Sequence, residues 1–135
     1  MPVRRCDSEE GQTPVFLASS RYALTRAYGR SGFLCIDAAL RDLCSALAPR
    51  PGFLLYVDDE ASTGPLGAGP VCARSASAVR ALAEQLEANL GGQPGVLWLI
   101  GGHSVIPFFR VPNPSDDPDT SVLSDTHYGA PAGDT

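Results

Sequence analysis

Cysteine and histidine side chains are the first candidates for chemistry in this chain, because a thiolate beside an imidazole can attack a carbonyl carbon. His103 follows an apolar run in LIGGHS, at a position where a strand is expected to end. No cysteine follows it, since the cysteines are Cys6, Cys35, Cys44 and Cys72. We therefore predict that His103 is a partly exposed loop residue or is hydrogen-bonded to nearby backbone, and we assign no catalytic residue to this chain.

The spacing of the cysteines argues against a metal or redox role. No two of them form a CxxC pair, which excludes a zinc ribbon and a thioredoxin motif. Cys35 and Cys44 lie in or beside apolar runs, a pattern typical of buried small hydrophobic residues. We predict that all four thiols are free and that the protein occupies a reducing compartment.

Acidic residues near the C-terminus are the candidate metal ligands. Asp116, Asp117 and Asp119 lie in NPSDDPDTSVLSDTHYG and offer the hard carboxylate oxygens that suit Ca²⁺. Their spacing and the position of the glycine do not match an EF-hand loop. The alternative is that these aspartates form turns and caps that satisfy the backbone of the loop. No other cofactor is predicted.

A second acidic run, in LLYVDDEAS, follows an apolar stretch, as in the receiver domains of response regulators, where paired acids hold Mg²⁺. A receiver domain also needs a later aspartate and a lysine, whereas LWLIGG ends in glycine and the chain has no lysine. Asp58 and Asp59 are therefore predicted to cap loop amides or to face solvent. The glycine-rich loop over residues 61–75 lacks the GK[ST] of a phosphate-binding loop, and we expect a flexible surface connection there.

The composition limits the classes of function. With 44% hydrophobic and 19% charged residues, the 135 residues suit one packed domain or part of one. A net charge of −5 disfavours nucleic-acid binding, and the lack of lysine removes Schiff-base chemistry. The N-terminal MPVRRCDSEEGQT has no apolar signal-peptide core, and no apolar stretch approaches the ~18 residues of a membrane span. We expect a cytoplasmic protein that binds neither nucleic acid nor membrane.

Hydrophobic patterning predicts the order strand, helix, strand, helix, strand. Continuous apolar runs at 14–18, 53–57 and 96–100 are typical of strands buried on both faces. Helical spacing is clear over 36–47 and loose over 19–28. A further helix is predicted between a cap at Ser75 or Ser77 and the glycines at 91 and 92, with an apolar face of Val79, Leu82, Leu86 and Leu90. This order predicts an α/β fold, a three-layer sandwich around a mainly parallel sheet.

Regular periodicity ends at about residue 101. The segment 101–135 contains five prolines and five aspartates, yet it also carries large apolar groups such as Phe108, Phe109 and Tyr128. A disordered tail rarely holds so many apolar groups, and a compact domain rarely ends on so long an irregular segment. We predict a flexible N-terminus over 1–13 and a partial domain over 14–135, whose long irregular loop from about 101 leads to strands that this sequence lacks.

The stretch VLWLIGGHSVIPFFRVPNPSDDPDTSVLSDTHYG resembles a segment of gingipain-like cysteine peptidases. The shared pattern is an apolar strand followed by Gly101-Gly102, Ile106-Pro107-Phe108, Asn113-Pro114, the aspartate cluster, and Ser124-Asp125 with Tyr128. The earlier LLYVDDEAS, with the loop and helix that follow it, also fits the layout of that family. The resemblance covers roughly residues 14–132 and is clearest over 96–129.

The resemblance implies a caspase-like or flavodoxin-like α/β sheet and a peptidase whose thiolate attacks a peptide carbonyl, with histidine as proton carrier. In that family the catalytic His-Gly and Cys follow the Ser-Asp-x-x-Tyr segment, so neither is carried over to this chain. We expect the N-terminal part of a gingipain-like cysteine endopeptidase domain, inactive alone, whose complete protein takes a peptide or protein substrate. The alternatives are a non-catalytic caspase-fold binding or scaffold module and a complete small-molecule α/β enzyme.

Three residues of the resembling segment are candidates for anchoring the long loop near the edge of the site. Asp125 is predicted to accept N–H bonds from the loop. Tyr128 is predicted to bury its ring while its hydroxyl stays in water. Asn113 is the third loop-anchoring candidate.

Overall fold

A computed structural model describes residues 13–91 and 95–129, so the predicted flexible N-terminus lies outside the described residues except for Thr13. The elements are β1 (Val15–Ser19), α1 (Arg21–Ala46), β2 (Gly52–Tyr56), α2 (Glu60–Thr63), α3 (Ala76–Asn89), β3 (Val96–Leu99), β4 (Phe109–Pro112), β5 (Ser121–Ser124) and α4 (Thr126–Gly129). The predicted mixed α/β character is confirmed.

The main sheet has three parallel strands in the order β2-β1-β3. The chain leaves β1 to form β2 on one side and then crosses back over β1 to form β3 on the other side. Because crossovers between parallel strands are right-handed, this reversal puts the two connecting helices on opposite faces of the sheet. The predicted parallel sheet flanked by helices is therefore present.

The core lies on both faces of β1, whose five residues are all buried. Successive side chains of a strand point to opposite faces. Phe16 and Ala18 belong to a cluster that includes residues of α3, namely Val79, Leu82 and Leu86. Val15 and Leu17 belong to a second cluster with residues from the second half of α1, namely Ile36, Leu40 and Leu43. The continuous apolar run of β1 is explained by this double burial.

Helix α1 extends further than the sequence predicts, since it runs over Arg21–Ala46 rather than 36–47. Gly29 interrupts this helix with φ 72° and ψ 174°. The two helical parts therefore do not share one continuous apolar face, and the spacing of apolar residues over 21–46 shows no single helical repeat. Tyr22 and Tyr28, which suggested a helical face, are 60% and 62% exposed, and Leu24 is the buried residue nearby. No helix in the described ranges is both long enough and apolar enough to cross a membrane.

The connection between β2 and α3 is more ordered than the predicted flexible loop. It contains α2 and a 3-10 turn at Gly64–Leu66. Thr63 is fully buried and its carbonyl accepts the N–H of Ala68 at 3.2 Å. Asn89 at the end of α3 donates to the carbonyls of Leu66 and Gly67. The prediction of a flexible connection is therefore wrong for its first half, because caps and buried contacts fix it.

The segment after residue 101 also differs from the predicted irregular loop. Strands β4 and β5 pair antiparallel, with Phe109 opposite Ser124 and Pro112 opposite Ser121, and α4 follows them. Each strand has four residues, and β4 ends in a proline, so neither produces a clear alternating pattern in the sequence. The prediction of an irregular segment is wrong for this hairpin.

Candidate functional site

The carboxyl ends of β1 and β3 form a crevice on the sheet. Ligands of open α/β sheets bind in crevices outside the carboxyl ends of the strands. A cavity of about 590 Å³ lies there. Ser20 and Tyr22 line it from the chain after β1, while His103 and Ser104 line it from the chain after β3.

Asp58 accepts hydrogen bonds from the first residues of α1 beside this crevice. Its carboxylate accepts the hydroxyl of Ser20 at 2.8 Å. It also accepts the backbone N–H groups of Arg21 at 2.9 Å and Tyr22 at 3.1 Å. Ser20 in turn caps the helix by accepting the N–H of Ala23 at 3.1 Å. The prediction that Asp58 caps amides is confirmed, although the amides belong to a helix 36 positions earlier rather than to its own loop.

Asp59 and Ser62 close the outer edge of β2. Asp59 caps α2 by accepting the N–H of Ala61 at 3.2 Å, as predicted for an amide cap, and it pairs with Arg21 at 2.9 Å. The hydroxyl of Ser62 accepts the N–H of Tyr56 at 2.8 Å and donates to the carbonyl of Leu54 at 3.0 Å. A single side chain therefore satisfies two backbone groups of the strand edge.

A tight turn follows β3 and forms the floor of the crevice. Gly101 has φ 108°, and a Cβ atom there would lie 2.7 Å from Cβ of Val105. The carbonyl of Gly102 accepts the N–H groups of Val105 and Ile106. Ile106 is fully buried. Gly101 therefore allows the chain after β3 to fold back closely on itself.

His103 is held in one orientation by the backbone of this turn. Its Nδ1 accepts the N–H of Phe108 at 2.8 Å, and the two rings lie 5.8 Å apart. Both features predicted for His103, exposure in a loop and a hydrogen bond with nearby backbone, are present. Because a ring nitrogen that accepts a hydrogen bond carries no proton, the neutral ring has its proton on Nε2.

Tyr128 ties the C-terminal hairpin to the turn after β3. Its hydroxyl donates to the carbonyl of Pro107 at 2.6 Å, and its ring meets that of Phe109 edge-on at 5.2 Å. Burial raises the pKa of Tyr128 to about 12. The bond to Pro107 agrees with the loop-anchoring role predicted for Tyr128, and it gives the hydroxyl, which was predicted to stay in water, a backbone acceptor.

Asn113 closes the loop between β4 and β5. Its side-chain nitrogen donates to Asp117 and to the carbonyl of Asp119, while its oxygen accepts from the backbone N–H and hydroxyl of Ser115. The amide of Asp119 donates to Asp117 at 3.0 Å. These bonds match the turn-and-cap alternative for the aspartate cluster and the anchoring prediction for Asn113.

The candidate calcium ligands are not brought together. Asp116, Asp117 and Asp119 are exposed. Within 13–91 and 95–129, no group of three or more His, Cys, Asp or Glu side chains could hold a metal ion. Asp125 is exposed, and its backbone carbonyl, rather than its carboxylate, accepts the N–H of Tyr128 at 3.0 Å. The backbone N–H of Thr126, the first residue of α4, donates to the hydroxyl of Ser124 and not to the carboxylate of Asp125.

The three described cysteines are free thiols, as predicted, and Cys6 lies outside the described residues. Cys35 and Cys72 are exposed. The prediction of a buried Cys35 is therefore wrong, because the second half of α1 buries Phe33 and Leu40, and Cys35 lies on an exposed part of the helix. Cys44 is half-buried, and burial raises the pKa of its thiol, which lowers its reactivity.

One polar network near β2 was missed by sequence reasoning. Asp37 accepts from Arg41 at 2.8 Å and from the hydroxyl of Tyr56 at 2.7 Å. The hydrogen bond from Arg41 lowers the pKa of Asp37, and burial raises the pKa of Tyr56. The i, i+4 spacing of Asp37 and Arg41 on a helix signals this ion pair in the sequence, whereas the contact with Tyr56 depends on tertiary packing.

Comparison with known proteins identified no relative of this chain. No protein-family model, no curated protein and no solved structure matches the chain.

Proposed function

We propose that this chain supplies the first strands of a gingipain-like cysteine endopeptidase domain with a caspase-type sheet. The observation that carries the proposal is the outer edge of β3. Its four residues are all apolar and none is buried, and Trp98 is 41% exposed. In the part of the chain that the structure describes, β3 pairs with β1 alone. Such an apolar edge favours the addition of further strands.

The proposal places the reacting groups on later strands beyond β3. In the complete protein, a cysteine thiolate attacks the peptide carbonyl and a histidine carries the thiol proton to the leaving amine. The present chain contributes no reacting atom. Its contribution is a fixed sheet edge, with a turn at Gly101 and a hairpin held by Tyr128 at the end where the active site would form.

The first test is the reading frame that follows Thr135. We expect an apolar strand ending in His-Gly and, after it, an apolar strand ending in Cys. The second test is hydrolysis of a fluorogenic peptide panel by the extended protein, with and without a thiol-blocking reagent. We expect cleavage that the reagent abolishes and that the 135-residue chain does not show.

The exposed thiol of Cys72 provides the matched control. The extended protein carrying Cys72→Ala should keep both its cleavage and its sensitivity to the reagent. An extended frame without the His-Gly and Cys strand ends would contradict the peptidase and favour a non-catalytic scaffold that uses the same sheet edge. Thiol-independent cleavage by the 135-residue chain would contradict both.

A further inference from the structure

Among the residues that the structure describes, the crevice between the ends of β1 and β3 is lined by cationic side chains and by no carboxylate. Arg26 of α1 and Arg74, just before α3, line it together with His103, and the other described lining residues are uncharged. Neither arginine forms an ion pair with a residue that the structure describes. In a chain of net charge −5, this cavity is a local positive region that favours an anion.

Asp58 lies beside the crevice without cancelling its charge. Its oxygens accept the hydroxyl of Ser20 and the first amides of α1, at Arg21 and Tyr22. The start of a helix carries a positive partial charge, which offsets a carboxylate bonded there. The charge of Asp58 is therefore balanced locally, whereas those of the two arginines are not.

The donors of the crevice suit an oxyanion. The bond from the N–H of Phe108 leaves the Nε2 hydrogen of His103 available, and His103 lines the same cavity as the two guanidinium groups. A guanidinium group matches the geometry of carboxylate and phosphate oxygens with two parallel N–H donors. The hydroxyl of Ser104 lines the cavity as well.

Most of the remaining described lining is apolar: Ala23, Ala27, Ala73, Val105 and Pro107, with the ring of Tyr22 at the side of α1. Ser20 also lines the cavity, but its hydroxyl donates to Asp58. The volume of about 590 Å³ falls within the ~300–1,000 Å³ typical of small-molecule sites. We propose that this crevice binds a small molecule with one oxyanion group, a carboxylate or a phosphate, on an apolar body. The site is independent of the proposed peptidase function.

The test is a nuclear magnetic resonance titration of the 135-residue chain with benzoate, phenyl phosphate and the uncharged benzamide. We expect saturable shifts at the amides around His103 and Ala73 with an anion but not with benzamide. The tighter of the two anions identifies the oxyanion. Inorganic phosphate should bind more weakly than phenyl phosphate. Shifts that do not saturate with either anion, or equal shifts with benzamide, would overturn the proposal.

Arginine variants separate this site from general attraction of anions. Arg26→Gln and Arg74→Gln should each weaken binding of the preferred anion about tenfold, because each removes a charge-assisted donor pair. Arg30→Gln is the matched control, since Arg30 is exposed on the same helix as Arg26 and does not line the cavity. Equal weakening by Arg30→Gln would show a diffuse charge effect and overturn the site.

Two substitutions at His103 test its nitrogen atoms separately. His103→Asn keeps an acceptor where Nδ1 lies but removes the Nε2 hydrogen, so binding should weaken while urea stability is unchanged. His103→Gln keeps a donor near Nε2 but loses the acceptor for Phe108, so stability should fall while binding is retained. The opposite pattern would remove His103 from the site.

Discussion

The two edge strands of the parallel sheet, β2 and β3, differ in whether the backbone groups of their outer edges have hydrogen-bond partners. At β2, one hydroxyl, that of Ser62, satisfies a backbone donor and a backbone acceptor of the edge. At β3, no residue of the described chain bonds to the outer edge, and Trp98 is 41% exposed. Both strands are continuous apolar runs in the sequence.

The difference indicates where the sheet ends and where it can grow. A strand edge that is capped by side chains resists pairing with further strands, whereas an apolar edge with unpaired backbone groups favours it. The edge of β2 is therefore closed by Ser62, whereas the edge of β3 is open to pairing with another strand. The following predictions test each margin, beginning with the largest expected effect.

Gly101→Ala should disrupt the turn that ends β3. The substitution places a Cβ atom 2.7 Å from Cβ of Val105 at a residue with φ 108°. Strain and the clash together should lower the free energy of unfolding by about 3 kcal/mol. Urea denaturation measures the loss. Gly102→Ala is the control, because nothing lies within 4 Å of a Cβ there, and an equal loss in both variants would contradict the argument.

Ser62→Ala should open the margin at β2. It removes both bonds to the strand edge and leaves the N–H of Tyr56 and the carbonyl of Leu54 without their partner. We expect a loss of about 2 kcal/mol in the free energy of unfolding, measured with urea. Ser77→Ala, at an exposed position of α3, should change it by less than ~0.5 kcal/mol. An unchanged stability for Ser62→Ala would mean that this edge is not closed by the serine.

Tyr128→Phe should loosen the hairpin at the end of β3. It removes the bond to the carbonyl of Pro107 and should cost about 1 kcal/mol, measured with urea at neutral pH. Tyr28→Phe is the control, because Tyr28 is 62% exposed. A loss confined to Tyr28→Phe, or equal in both variants, would show that the hydroxyl of Tyr128 is not an anchor.

The pH dependence of the same variant has a definite sign. The pKa of Tyr128 rises to about 12 in the folded protein, from an ordinary value near 10, so folding favours the neutral phenol. This contribution is complete below pH ~10 and is lost as the pH rises through about 12. Raising the pH through this range should therefore lower the stability of the wild-type chain relative to that of Tyr128→Phe. A stability difference that does not change with pH would contradict the burial of this hydroxyl.

Trp98→Lys should change association more than stability. A charge on the open edge of β3 opposes pairing of that edge with a second strand. We expect the wild-type chain to self-associate through this edge at high concentration, and sedimentation should show that association weakened about tenfold in Trp98→Lys. The free energy of unfolding should fall by less than ~1 kcal/mol. Leu123→Lys is the matched control, because Leu123 is also 41% exposed but lies on the hairpin. Equal effects of the two variants would contradict the special role of the β3 edge.

The sequence predicted the elements whose pattern is long and local. The cap at Ser75 and the buried positions Val79, Leu82 and Leu86 of α3 were predictable from local spacing, and the strands of the sheet were predictable from their apolar runs. Leu90, also predicted on that apolar face, lies after the end of the helix and is 38% exposed. The hairpin of β4 and β5 was not, because its four-residue strands are stabilised by contacts such as that between Phe109 and Tyr128. In the site, His103 and Tyr128 were identified, but their partners Phe108 and Pro107 depend on the fold of the turn.

The sequence alone determined an α/β domain with apolar strands, a glycine turn after the third strand and no lysine chemistry. The tertiary structure decided which edge of the sheet is closed and which charges meet in the crevice. Arg26, Arg74 and His103 come from three separate segments, and their proximity follows from the strand order. Local patterns arise from the chain's own periodicity, whereas these contacts arise from the right-handed crossovers that place distant segments at one end of the sheet.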